Sequence, residues 1–209
     1  NADFTWNNEC LDGASIQFTN NTSGGDVERS RWIFNNDTIG YGKDLNYTFT
    51  ELGRFDVKLA IRTEEKCVDT IVKQIAIQPY IKFQDLPSMI YNQNFDSNNE
   101  FYNWSSKGIS DAYNSKWKFG VPNGEIIKLT SSGSNSWFTE VPNKSTIENS
   151  QVVSPCFDFT GLSKPMIKLK VWSSSESKRD GAVTQYSIDK GNTWKNIGTK
   201  GEGINWFNS

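Results

Sequence analysis

Four carboxylates, Asp158, Glu176, Asp180 and Asp189, are the groups from which this chain could build catalysis, because paired Asp or Glu residues hydrolyse glycosides without help from histidine. The chain has no His at all, which removes the commonest general base, the usual activator of a nucleophile and the usual zinc ligand. No motif pairs the four carboxylates, and each is accounted for by a turn or a solvated surface. One run does carry a pattern: Ser187-Ile188-Asp189-Lys190-Gly191-Asn192-Thr193-Trp194 fills every position of S-x-D-x-G-x-x-W. Its chemistry is conformational. The Asp carboxylate accepts backbone N–H bonds, the Gly takes positive φ, and the Trp folds back over a hairpin, leaving no reactive group over. The pattern therefore predicts Trp194 buried against the turn and Asp189 accepting backbone hydrogen bonds.

The elements that must carry these residues are strands. Asn and Ser together exceed a fifth of the 209 residues, aromatics reach 13%, and Met numbers only two, which favours strands and turns over helices. Alternating apolar positions recur at Ile16 and Phe18, Trp32 and Phe34, Val57, Leu59 and Ile61, Ile75 and Ile77, then Ile167, Leu169 and Val171, each reading as a half-buried strand. Between them stand turn residues: Gly24-Gly25, Asn35-Asn36-Asp37, Gly40 to Gly42, Pro122-Asn123-Gly124 and Ser131-Ser132-Gly133. No segment holds a helical stripe, and the fold class is all-β.

A formal net charge of −2, with 22 basic residues scattered along the chain, leaves no electrostatic footprint for nucleic acid or an anionic membrane. No stretch approaches the ~20 apolar residues of a membrane span, and Asn1 opens no signal peptide. The ends read as those of a fragment, truncated at the C-terminus, with any leader or anchor outside it. Composition shifts near Gln78-Pro79, after which six of the eight tryptophans fall, so two domains are expected, 1–79 and 80–209. Six N-x-S/T sequons, at Asn20, Asn21, Asn36, Asn46, Asn103 and Asn143, arise readily by chance in so Asn-rich a chain.

The order of motifs in the first domain resembles a known family. Cys10 precedes Ile16-Gln17-Phe18-Thr19-Asn20; then follow Trp32-Ile33-Phe34, Tyr47-Thr48-Phe49, Gly53-Arg54-Phe55-Asp56-Val57-Lys58-Leu59 and Cys67-Val68-Asp69-Thr70. This is similar to the PKD domain, an immunoglobulin-like β-sandwich of bacterial surface and secreted proteins, over about 75 residues. The chain departs from the family's W-x-F-G-D-G at Asn35-Asn36-Asp37, which bears on the shape of that turn. In such a sandwich Cys10 and Cys67 sit near the first and last strands, so an exported chain is expected to join them in a disulfide, two free buried thiols being the alternative. Cys156 has no partner in view and reads as a small packing residue.

The second domain runs through Trp104, Trp117 to Pro122, Trp137-Phe138-Thr139, Ser154 to Phe159 and Trp172 to the S-x-D-x-G-x-x-W run, called the Asp-box. Sialidases carry several such boxes around a propeller; one copy without a repeat speaks for a structural hairpin instead. The succession resembles MAM-like and reelin-like jelly-roll modules, a second β-sandwich, which beside PKD domains are similar to parts of bacterial surface proteins exported by the type IX system. That resemblance implies an extracellular, non-catalytic fragment for adhesion or scaffolding, with a glycan or surface protein as partner besides the parent's export machinery. The alternative is an accessory region of a secreted hydrolase or protease whose catalytic domain lies elsewhere. It also implies a structural Ca²⁺ where an early-strand carboxylate meets a late acidic loop; Asp96 with Glu176 and Asp180 fit that description, the alternative being three solvated carboxylates. Tryptophans beside glycines are expected mainly in the core, with an exposed one stacking on sugar.

Overall fold

The computed structural model describes residues 1–86, 89–96, 104–108, 115–124, 126–139, 149–173 and 181–198. Among them are fifteen strands and no helix, so the all-β fold class holds. Eight strands build the first part: β1 (Phe4–Trp6), β2 (Cys10–Leu11), β3 (Ile16–Asn20), β4 (Val27–Phe34), β5 (Asp37–Tyr41), β6 (Leu45–Tyr47), β7 (Gly53–Thr63) and β8 (Val68–Gln84). One sheet has the order β1-β3-β6, the other β8-β7-β4-β5. That division of seven antiparallel strands between two facing sheets is the immunoglobulin-like sandwich.

Period-two burial makes the sandwich. Along β7 the residues Val57, Leu59 and Ile61 are buried while Arg54 and Asp56 are exposed, and Ile16 and Phe18 point inward from β3 on the opposing sheet. At the centre Trp32 is fully buried, its ring edge-on to Phe4 at 5.2 Å and tilted against Phe18 at 5.9 Å. Its indole N–H donates to the Gly42 carbonyl at 3.2 Å, so the polar end of the largest core residue is satisfied. The Asn35-Asn36-Asp37 departure leaves a clean two-residue hairpin. Phe34 pairs with Asp37, and Asn35 and Asn36 take φ of 47° and 70°, positive values that Asn tolerates and that match strand twist.

The expected boundary at 79–80 falls inside β8, which runs unbroken for 17 residues and changes partners there. Its first ten positions, Val68 to Ile77, pair with β7, which begins opposite Ile77 at Gly53. Beyond, Gln78 and Pro79 pair parallel with β2, and Tyr80 to Gln84 pair parallel with β13 (Cys156–Gly161). Pro79, which lacks an N–H, sits where the antiparallel ladder has ended.

The second part contributes two-stranded ladders: β9 (Ser105–Gly108) with β12 (Ser150–Val153), β10 (Trp117–Gly120) with β11 (Ser136–Thr139), and β14 (Gln185–Tyr186) with β15 (Lys195–Asn196). Aromatic side chains of this part meet in two groups, Phe83 of β8 with Tyr91, Phe157 and Phe159, and Phe95 and Trp104 with Phe119 and Trp137 of the β10–β11 ladder. The strand expected through Ile167, Leu169 and Val171 is absent: these side chains are 57%, 45% and 72% exposed on backbone that joins no ladder. Alternation alone makes no strand without a partner to take its hydrogen bonds.

Candidate functional site

The candidate site is the 187–194 turn and the segment it touches. Between β14 and β15, Ser187 Oγ accepts from Gly191 N at 2.8 Å and donates to Asp189 Oδ1 at 2.7 Å. Asp189 receives Thr193 N at 2.8 Å on Oδ1 and the Thr193 hydroxyl at 2.5 Å on Oδ2. Lys190 and Gly191 take the positive φ that closes the turn, and Trp194 Nε1 donates back to the Gly191 carbonyl at 3.1 Å. Asp189 thus accepts a backbone hydrogen bond as the pattern predicts, whereas Trp194 is half-buried rather than buried. The Thr193 hydroxyl foremost, then Thr193 N–H and the Ser187 hydroxyl, hold the Asp189 carboxyl down at about 2.

Asp158, another of the four carboxylates, is likewise pinned. It accepts the Thr160 hydroxyl at 2.6 Å, Thr160 N at 2.9 Å and the Tyr80 hydroxyl at 2.8 Å, and these bonds, Thr160's first, hold it at about 2. A general acid at neutral pH needs a carboxyl raised towards 6 or 7, and both groups are moved the other way. Glu176 and Asp180 lie outside the described residues.

Asp96 serves the backbone too. Its Oδ1 accepts Ser134 N at 2.6 Å and Asn135 N at 3.1 Å, stapling the 94–96 segment to the 131–135 loop, and Asn94 Nδ2 approaches Oδ2 at 3.2 Å. Gly133 makes the approach possible, since a Cβ there would fall 1.6 Å from the Asp96 carboxylate. No group of three His, Cys, Asp or Glu that could hold a metal occurs among the described residues.

The cysteines pair differently from expectation. Cys10 is bonded to Cys156, with Cα atoms 5.8 Å apart, and Cys67 is a free, exposed thiol. Geometry along β8 explains this: β2 brings Cys10 opposite Gln78, and β13 brings Cys156 opposite Tyr80. Cys67 precedes the far end of the same strand, 11 residues away and so about 35 Å distant at the strand rise. The packing role expected for Cys156 is replaced by the bond.

Sequence reasoning passed over the segment from Asn7 to Asp12 that organises these contacts. Lys190, inside the turn, donates to Asp12 Oδ2 at 2.6 Å, and Asn192 Nδ2 donates to the Asn7 carbonyl at 3.3 Å. Lys107 of β9 bonds both Glu9 oxygens at 3.0 and 3.1 Å, while Trp6 Nε1 donates to Glu9 Oε1. Burial works to raise the Asp12 carboxyl, and the Lys190 hydrogen bond, the Ala14 N–H and the Lys190 charge together outweigh it, leaving it below its ordinary value. Turn, β9 and β13 are therefore tied to one short stretch of the first part. Nothing in local spacing signals it, since every partner lies about 100 residues or more away.

Comparisons with known proteins add likeness of limited extent. The chain is similar over 37% of its length to the PKD1 domain of Vibrio anguillarum Epp, covering 90% of that chain at 19% identity with a TM-score of 0.32. It is similar over 36% of its length to the PKD1 domain from Vibrio cholerae metalloprotease PrtV, covering 93% of that chain at 24% identity with a TM-score of 0.31. No family model and no curated protein matches. Among the described residues no helix is long and apolar enough to cross a membrane.

Proposed function

We propose that this chain is a non-catalytic extracellular adhesion and scaffolding segment of a bacterial cell-surface or secreted protein, with a PKD-like first sandwich and a jelly-roll second part whose Asp-box is structural. The carrying observation is the cross-bracing: Cys10–Cys156, Glu9–Lys107 and Asp12–Lys190 fasten the second part to the first. A disulfide of this kind belongs to an oxidising compartment, and a braced pair of sandwiches is suited to holding a binding surface at a fixed distance. The pinned states of Asp158 and Asp189 support a structural rather than an acid–base role.

Exposed aromatic side chains make a glycan the favoured ligand class, and Trp172, 57% exposed, is one such group in the second part. Export by the type IX machinery and a structural Ca²⁺ shared by Asp96, Glu176 and Asp180 belong to the same proposal. The calcium reading requires the ion to share Asp96 with its backbone donors. A melting temperature that does not change between EGTA and millimolar calcium removes it. For the function itself, the 209-residue chain is applied to a glycan array. Retention without release of new reducing ends is the expected result; absence of retention defeats the adhesive reading, and steady release of reducing ends defeats the non-catalytic one.

A further inference from the structure

At the end of the β4–β5 hairpin opposite its Asn35-Asn36 turn, a groove of about 700 Å³ opens between the 22–26 loop, the start of β4 and residues 41–43. Its floor is polar and already fixed: Asn20 and Ser30 are buried and bonded to each other at 3.2 Å, and Asn20 N donates to Asp44 at 2.9 Å. Tyr41 stands on the rim with 77% of its surface exposed, ending an edge strand. Three further lining residues, Asp26, Arg29 and Lys43, have side chains in no hydrogen bond or ion pair among the described residues. Glu28, also on the lining, differs, for it is held by Arg62 and Lys66.

We propose that this groove binds an oligosaccharide, Tyr41 stacking on a sugar ring while Asp26 accepts from, and Arg29 and Lys43 donate to, its hydroxyl groups. The inference rests on the reading of the chain as an adhesive, glycan-binding segment and places the contact in the first sandwich rather than on a tryptophan of the second. A sugar hydroxyl is both donor and acceptor, so a site for it needs unspent groups of both kinds beside an aromatic face, and that is the set present. A phosphate chain would call for a run of cations, which Asp26 and Glu28 interrupt. The groove's volume falls within the range of small-ligand sites.

The test uses the whole 209-residue chain titrated with chitohexaose, xylohexaose, mannohexaose and oligogalacturonate, followed by calorimetry and by amide chemical shifts. Binding of one of these sugars, with shifts gathered at Asp26, Arg29, Tyr41 and Lys43, is expected. Tyr41→Ala should weaken it about tenfold, the size of a lost aromatic contact, and Tyr41→Phe should retain it. Tyr41 is exposed, so both variants keep the parent melting temperature. Binding that survives Tyr41→Ala undiminished overturns the groove and leaves the adhesive reading standing. Failure of all four sugars to bind the parent chain overturns the groove, and the adhesive reading then stands or falls on the glycan array alone.

Discussion

Asp189 and Asp158 are carboxylates that accept hydrogen bonds from residues two to four positions along the chain, as a turn reading of the sequence expects. Both are held at about 2, below the ~3.9 of an unfolded Asp, so in the interval between these values the unfolded chain binds more protons than the folded one. Their contribution to stability is therefore present above about pH 4 and is lost as pH falls towards 2. Chemical denaturation at pH 5, 3.5 and 2.5 should show a falling midpoint, and the Asp189→Ala chain, less stable at pH 5, should fall by less. Equal pH dependence in the two would mean that Asp189 is not held by Thr193 and Ser187. This part of the site was legible from eight consecutive residues, because the turn's hydrogen bonds are local. The burial of Trp194 was not, since it depends on what lies across from the turn.

At the scale of elements, legibility followed whether a strand's partner was implied by its own pattern. Alternation placed β3, β4, β7 and β8 because both faces of the sandwich close on one core around Trp32. The same alternation through Ile167 to Val171 predicted a strand that has no ladder. The β4–β5 turn gives a sharp test: Asn36 sits at φ 70°, so Asn36→Val should cost about 1–2 kcal/mol while Asn36→Gly should cost none, read by equilibrium denaturation. If Val is accommodated without loss, the two-residue turn with both φ positive is wrong. A second test sits where β13 lies beside β8. A Cβ on Gly161 would come 2.3 Å from the Phe83 carbonyl oxygen, a backbone atom with no freedom to rotate aside. Gly161→Ala should destabilise by about 1–3 kcal/mol and loosen amide protection at Tyr80 to Gln84, which an unchanged exchange pattern would contradict.

For the whole molecule, the decisive feature is one that no local reading contains: β13 returns to run parallel beside β8 and meets β2 there through Cys10–Cys156, closing a separation of 146 residues. The chain-entropy model assigns such a closure about 5 kcal/mol, and removing native disulfides commonly costs about 2–5 kcal/mol. The first part has its own eleven-residue buried cluster, whereas Phe138 is the one buried apolar side chain on the ladders β9 to β15 among the described residues. These described ladders therefore lean on their attachment to the first part. Replacing Cys10 and Cys156 together with Ser should leave the sandwich standing and release what is fastened to it. On warming, amide protection should vanish first from β13 and the β14–β15 turn while it persists in β3, β4, β7 and β8 up to Ile77. The ion pairs Asp12–Lys190 and Glu9–Lys107, partly exposed, are too weak to keep the parts joined alone. Hydrogen exchange that is lost in one step from every strand of the Ser variant, at the parent's own temperature, would show that the shared strand β8 and not the disulfide holds the molecule together.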